Sequence, residues 1–458
     1  MSESLERKRL TRAGTVLAAV LLSLLLAACV APTAAPVEGT TSGEEAAASS
    51  DETVELVYQD WATTWFPPMV EEMMPIFNEE HPNIQVSYVP QSDDVDVKLL
   101  AQMVAGEAPD LMFGCCTWFP IIAQKGQLLD LRPYVESDLD PAIVEDFDPA
   151  QYNALFLPDG TQYALPKYHG ALALFYNKDL FDEYGVDYPP AEGWTLDEYQ
   201  AAMDKLTQDT DGDGETDLWG SMIDVVSEDR VQMYINNHGG HIVNPEDPTD
   251  CMLDEPEAQA GLQWLYDRMQ VDGTMATALD VGKVGTQAAF INGQVAMVED
   301  GSWALKNILA NAPFRVGLAP FPAGPAGRVT LATTDAYGIW EGTEHPDEAW
   351  ALMKFLLGDE YVLAQARAQF LQPARASLVP QWADIIRAEY PEATADLDIE
   401  AFADGHEKGY SVVVETFKNQ GEVRPLLREA LDLIFTLGEE PVEYMADVCA
   451  EIEAAQTE

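Results

Sequence analysis

Positive charge is scarce in this sequence of 458 residues: 24 Lys and Arg stand against 79 Asp and Glu, for a formal net charge of −55. A surface of that sign repels phosphate backbones and anionic headgroups, so neither nucleic acid nor a bare membrane surface is a general partner. Catalytic signatures are missing too. No G-x-S-x-G elbow, P-loop, G-x-G-x-x-G or H-E-x-x-H occurs, and among 79 carboxylates no acidic pair stands out as a glycosidase dyad. The chain is therefore not expected to be an enzyme. Apolar residues are not in short supply. A hydrophobic share of 47%, with 10 Trp, 17 Tyr and 16 Phe, is enough to fill real cores and excludes a disordered acidic tail.

Long hydrophobic runs are confined to one place. Arg7, Lys8, Arg9 and Arg12 precede the run VLAAVLLSLLLAA at 16–28, which is shorter than the roughly 20 residues of a spanning helix and has the form of an export signal. Leu26-Ala27-Ala28-Cys29 resembles the lipobox of exported lipoproteins, and the resemblance implies a signal peptide over 1–28 and lipid attachment at Cys29. Residues 29–52 are mostly Ala, Pro, Ser, Thr, Gly and Glu, with almost nothing to bury, and read as a flexible tether. The folded part is expected from about Thr53, outside the cytoplasm and held to the membrane only through the lipid.

From Thr53 the hydrophobic period switches between 2 and 3.6, which predicts alternating strands and helices. Val54, Leu56 and Tyr58 read as a strand, Val70, Met73 or Met74 and Phe77 as a helix face, and Ile84, Val86 and Tyr88 as a second strand. A helix over 94–105 is expected to pack Leu99, Leu100, Met103 and Val104, and Leu111–Phe113 gives a third strand. In open α/β sheets ligands bind beyond the carboxyl ends of the strands. Topology alone therefore places Asp60, Trp61, Gly114, Cys115, Cys116 and Trp118 at a cleft.

The residues at 209–217 (DTDGDGETD) set Asp209, Asp211, Asp213, Glu215 and Asp217 at the alternating positions of a calcium loop, with Gly214 at the sixth. Gly220 stands where the twelfth-position bidentate Glu belongs, so Asp224 or Glu228 would have to replace it. The alternative is a solvated acidic turn. Calcium, if held here, is structural. Beyond Cys29 the cysteines are Cys115, Cys116, Cys251 and Cys449, an even number with three pairings open.

Five segments in order carry a family resemblance. PIFNEEHPNIQVSYVP with AGEAPDLMF (75–113), LPKYHGALALFYNKDLFDEYGV (165–186), WTLDEYQAAMDKLT (194–207), INGQVAMVEDGSW (291–303) and LQPARAS (371–377) resemble extracellular solute-binding proteins of the carbohydrate-uptake, maltose-binding-like group. The resemblance implies an α/β fold of two discontinuous lobes joined by a hinge, here 53–168 plus 320–358 and 169–319 plus 359–458. It also implies a monomer that captures a sugar or oligosaccharide and delivers it to an ABC-type permease. Sugar binding needs flat apolar faces and planar polar groups, and on the resemblance the candidates are Asp60, Trp61, Trp65, Trp118, Tyr168, His169, Trp303, Thr333, Thr334, Asp335, Tyr337 and Arg375. Trp303 and Trp118 are expected to sandwich a ring from opposite lobes. Arg375 reads equally as a structural salt bridge, and Trp194, Trp264, Trp350 and Trp382 read as packing. His238-Gly-Gly-His241 resembles the family's Gly-Gly turn more than a metal site. With these lobes a bond between them would clamp the hinge, so Cys251 pairs with Cys449, leaving Cys115 and Cys116 as a vicinal disulfide or two thiols at the cleft rim.

Two other readings remain open from the sequence. One is a cationic solute, a polyamine or quaternary amine, held by Asp60, Asp335 and an aromatic cage. The other is a secreted carbohydrate-active enzyme, which shares aromatics and carboxylates with a sugar binder.

Overall fold

The computed structural model describes residues 53–91, 95–333 and 335–456. The expected signal peptide, Cys29, the tether up to residue 52 and Thr334 lie outside the described residues. The chain starts with β1 (Val54–Trp61), β2 (Ile84–Gln91), β3 (Leu111–Gly114) and β4 (Leu165–Pro166). It continues through β5 (Leu172–Asn177), β6 (Ser221–Met222), the small pair β7 (Val243–Asn244) and β8 (Asp247–Cys251), β9 (Met275–Ala276), β10 (Met297–Gly301) and β11 (Val316–Ala319). It then runs through β12 (Thr330–Leu331), β13 (Ala336–Ile339) and β14 (Ser411–Val412).

Ten of these strands form two five-stranded sheets, in the orders β2-β1-β3-β13-β4 and β11-β5-β10-β6-β9. In the first sheet β1 is parallel to β2 and β3, while β13 returns antiparallel to β3. The chain therefore leaves the first lobe after β4, builds the second sheet, and re-enters the first at β13. This is a two-lobed α/β fold with discontinuous lobes. Two or more connecting segments permit hinge rotation while resisting sliding.

Each sheet has its own core. The first is built from Leu56, Tyr58, Phe66, Val70, Phe77, Leu111 and Phe113, joined by Ala336–Ile339 and Trp350–Leu357. The helix Phe66–Glu80 buries Phe66, Met69, Val70, Met73, Met74 and Phe77, the face that its 3.6 period dictates. The helix Val95–Ala105 buries Leu99 and Met103 but leaves Val97 67% and Val104 79% exposed. Val104 was expected inside, but it lies one residue off the Leu99–Met103 line. Two further clusters serve the second sheet, one including Leu174, Phe181, Tyr199 and Met203, the other Phe175, Phe290, Leu305 and Trp382. The lobe edges differ from those expected: Phe321 and Leu331 pack with the second lobe, and Tyr361 and Ala364 with the first. The helix Asp359–Gln369 thus spans the seam.

The closing helices bury Val423, Leu427, Leu431 and Ile434, then Val448, Cys449 and Ile452. Cys449 is joined to Cys251 by a disulfide across 198 residues, tying the last helix to β8. Trp194, Trp350 and Trp382 are buried, each in a different cluster, and Trp264 packs at the edge of the cluster that holds Trp194, as their helical spacing indicated. Among the described residues no helix is long and apolar enough to cross a membrane.

Candidate functional site

β1, β2 and β3 end at one edge of the first sheet, and their carboxyl ends place Trp61, Gln91, Cys115 and Cys116 along one wall of a cleft of about 870 Å³. Trp65 opens the helix Phe66–Glu80 beside them. Tyr168, Thr333 and Asp335 come from the crossovers. The second lobe supplies Asp229 and Arg230 from the helix Glu228–Asn237, and Trp303, Lys306 and Asn307 from the helix Ser302–Asn311.

The aromatic residues form a continuous row across the hinge. Ring centroids lie 6.4 Å apart for Trp61 and Trp65, 5.8 Å for Trp61 and Tyr168, and 6.3 Å for Tyr168 and Trp303, all edge to face. That is the favoured geometry for quadrupolar rings. Two glycines make room for Trp303. A Cβ on Gly301 would lie 2.0 Å from its Cζ3, and one on Gly170 would lie 2.8 Å from the same atom.

Polar groups interleave with the rings. The Arg230 guanidinium lies 5.6 Å from the Trp303 ring centroid, and its buried Nη1 has no hydrogen-bond partner among the described residues. Burial opposes its charge, but Asp229, Asp300, Glu299 and Asp224 raise its pKa. Burial also pushes the Asp335 carboxyl up to about 6, against the pull of Lys167 and the Thr333 and Tyr168 hydroxyls. Glu299 lies behind this wall on β10, with both carboxylate oxygens buried and unpartnered. Burial drives it up to about 8, with Arg230 pulling the other way. At one edge of the cleft the lobes touch directly, where Thr117 Oγ1 donates to Glu228 Oε1 at 2.7 Å.

Of the expected ligand-binding residues, Trp61, Trp65, Tyr168, Trp303, Thr333 and Asp335 line the cleft, whereas five others do not. Asp60 is drawn into the core beneath Trp61 instead of into the cleft, with the Lys167 ammonium between its carboxylate and the Trp61 ring. It is fully buried, accepts from Tyr58 Oη at 2.5 Å and pairs with Lys167 Nζ at 2.5 Å. Trp118 is 6% exposed and packs edge-on against Phe113 and Phe119, so it cannot sandwich a ring with Trp303. His169 is buried with Nε2 3.6 Å from Asp148 Oδ2. Tyr337 lies inside the first core and accepts from Gln365 Nε2 at 2.8 Å. Arg375 is the structural salt bridge, paired with Asp146 at 3.0 Å and with Asp359.

The sequence reading missed Gln91, Asp229, Arg230, Gln287, Lys306, Asn307 and Tyr390. One signal was available. Trp303, Lys306, Asn307, Ala310 and Asn311 follow the i, i+3, i+4, i+7, i+8 spacing of one helix face, so accepting Trp303 brings the others with it. Arg230 carries no such mark.

In the acidic loop, oxygens of Asp209, Asp211 and Asp217 lie within 4.8 Å of one another, all on exposed side chains. Asp213 and Glu215 are not part of this group: Asp213 Oδ1 accepts the Glu215 amide at 2.8 Å instead. Glu228, one of the two replacements considered for the twelfth position, is committed to Thr117 and Arg424. His238 and His241 engage separate partners, the Tyr234 carbonyl and Glu415, each at 2.7 Å.

Two α/β lobes, paired crossovers and an aromatic, hydrogen-bonding cleft between them define a protein that closes on a small solute. The chain belongs to the bacterial extracellular solute-binding protein family, whose match runs over residues 60–362. It is 28% identical over 335 residues to a binding protein of Brucella abortus, covering 72% of this chain and 76% of that one. It is 27% identical over 296 residues to the arabinooligosaccharide-binding protein of Halalkalibacterium halodurans, covering 61% and 62%. In structure it resembles the Listeria monocytogenes ABC substrate-binding protein in complex with cycloalternan, with a TM-score of 0.75 and 23% identity over 88% of this chain and 98% of that one. The family is one of binding proteins, not of enzymes.

Proposed function

We propose that this protein captures a sugar or oligosaccharide between its lobes and delivers it to an ABC-type importer. The row Trp65, Trp61, Tyr168 and Trp303 carries this reading, because it offers flat apolar faces to pyranose rings while Asp335, Asp229, Arg230 and Gln91 offer hydrogen bonds between them. The arabinooligosaccharide-binding relative and the cycloalternan-bound neighbour support it. A cleft of about 870 Å³ has room for a sugar or a short oligosaccharide segment. No bond is broken. A solute touching both walls binds the closed arrangement better than the open one and shifts the equilibrium by that difference. The cationic-solute alternative is weakened by two observations: Asp60 is spent on Lys167, and Arg230 stands in the wall. Calorimetric titration with arabino- and malto-oligosaccharides tests the proposal. Saturable binding supports it, and binding of polyamines alone replaces it.

Two further parts belong to this reading. The protein is anchored by diacylglycerol on Cys29, working as a monomer, and Cys29→Ala is expected to release it from the membrane fraction. Calcium is held by Asp209, Asp211 and Asp217, whose oxygens converge as hard ligands for it. Calorimetry on chelator-treated protein checks this, and a melting temperature unmoved by calcium would remove it.

A further inference from the structure

Two side chains in the cleft wall have no obvious task in hydrogen-bonding a sugar. Cys115 and Cys116 follow β3 directly and line the cleft with Trp61, Tyr168 and Asp335. Their sulfurs lie 2.7 Å apart, with the Cys116 thiol directed at Cys115 Sγ. That is closer than two unbonded sulfurs pack and a short step from the covalent length of about 2.0 Å. Cys116 holds a φ of 56°, in the left-handed region that a residue with a Cβ normally avoids.

The surrounding segment holds the pair in place. On the N-terminal side Gly114 lies against the Phe119 ring, where a Cβ would come within 2.0 Å of Cγ. On the C-terminal side Thr117 precedes the helix Trp118–Gln124, and its hydroxyl is tied across the cleft to Glu228. The two cysteines therefore occupy a tight turn that neither end can relax. Elsewhere in the described chain Cys251 and Cys449 are bonded, so disulfide chemistry is open to this protein.

We propose that Cys115 and Cys116 are a redox pair built into the solute cleft: joined as a disulfide between adjacent residues they form a rigid apolar ledge for the solute, and on reduction they open and the cleft binds more weakly. The inference rests on the reading of this cleft as the sugar site. Closing the bond takes two electrons. The Cys115 thiolate attacks one sulfur of an external disulfide, a small-molecule disulfide or a thiol–disulfide oxidoreductase, and expels its partner as a thiolate. The Cys116 thiolate then attacks the Cys115 sulfur of the mixed disulfide and expels the second. Two protons and two electrons leave the cysteines, and the oxidant ends as two thiols. The Cys115 sulfur, together with burial, raises the Cys116 thiol well above its ordinary value.

The bond is labile by construction. Adjacent Cα atoms are about 3.8 Å apart, shorter than the usual disulfide span of about 4.4–6.8 Å, and strained bonds are the readily reduced ones. Cys251–Cys449, by contrast, is buried at both ends. A mild reductant therefore separates the two.

The experiment uses the purified full chain, treated with oxidised glutathione or with a low dose of tris(2-carboxyethyl)phosphine, alkylated with iodoacetamide and mapped by mass spectrometry. The expected result is an unlabelled 115–116 peptide, two hydrogens lighter than the dithiol, after oxidation. It becomes doubly labelled after mild reduction, with Cys251–Cys449 intact in both. Calorimetry with an oligosaccharide is expected to show affinity about tenfold weaker in the reduced state. C115S/C116S is expected to match that weaker value and not respond to reductant. Two labels at 115 and 116 after oxidation, or equal affinities in the two mapped states, would overturn the proposal. Absence of sugar binding in both states would instead strike the functional reading, and the mapping alone would then decide whether the bond forms.

Discussion

Lys167 Nζ lies 2.5 Å from Asp60 Oδ1 with both side chains removed from solvent, and the same ammonium sits 4.1 Å from the centroid of Trp61. Lys167 is also within 4.8 Å of the centroids of Phe66 and Phe113. The ion pair thus underpins the aromatic wall of the cleft from behind, joining β1 to the first crossover. Burial opposes both charges, and each partner offsets that cost for the other.

Removing one member leaves the other charged and unpaired. Lys167→Met is expected to cost about 3–5 kcal/mol in urea denaturation. The double variant Asp60→Asn/Lys167→Met should recover part of that loss, because it removes the orphaned charge as well. Equal losses in the single and double variants would show that the pair contributes only packing.

Trp61→Ala and Trp303→Ala each remove a stacking face and are expected to weaken oligosaccharide affinity by about 10- to 30-fold, as truncation of a buried aromatic anchor does. Trp118→Phe should leave affinity unchanged, since Trp118 faces the first core. Calorimetric titration of the three variants separates the two roles.

The pH dependence of binding follows from Asp335. Its folded value of about 6 lies above the ordinary 3.8 because of burial. In the free protein ionisation is therefore disfavoured, and its contribution to stability is lost as pH rises from about 4 to 6. A sugar hydroxyl donated to the carboxylate reverses the preference, so binding releases a proton. Affinity should rise with pH through about 6 and level off above it. Asp335→Asn should flatten the profile, and an unchanged profile would place the titrating group elsewhere.

Glu299 gives a stability test. Its folded value of about 8 against an ordinary 4.5 means that its contribution is full below pH 4.5 and is lost as pH rises through 8. Glu299→Gln should melt near the parent at pH 4 and above it at pH 8. Parallel melting curves across that range would show that the carboxyl is satisfied by a partner not seen here.

The sequence made much of the scaffold legible because burial leaves a periodic mark. Leu56 and Tyr58 alternate into the first core, and Val70, Met73 and Phe77 line one helix face, so strand and helix could be placed from spacing alone. The carboxyl-end rule located the loops at the cleft, and Trp61, Cys115 and Cys116 do line it. It could not aim the side chains. Asp60 and Trp118 stand in the right loops and turn inward, Asp60 toward a Lys 107 residues away that no local pattern reveals. In hindsight Tyr58 facing the core already implied that Asp60 does so too. Arg230 reaches the cleft only because two lobes meet, a juxtaposition set by tertiary packing.

The most direct test of the account is a thermal-shift panel on the protein, in buffer containing calcium, with mono- and oligosaccharides, polyamines and betaines. A ligand that binds only the folded state raises its melting point by mass action. The account predicts that one or a few oligosaccharides raise it in the parent but not in Trp61→Ala/Trp303→Ala. A shift produced only by polyamines or betaines, or an oligosaccharide shift that survives loss of both tryptophans, would contradict it.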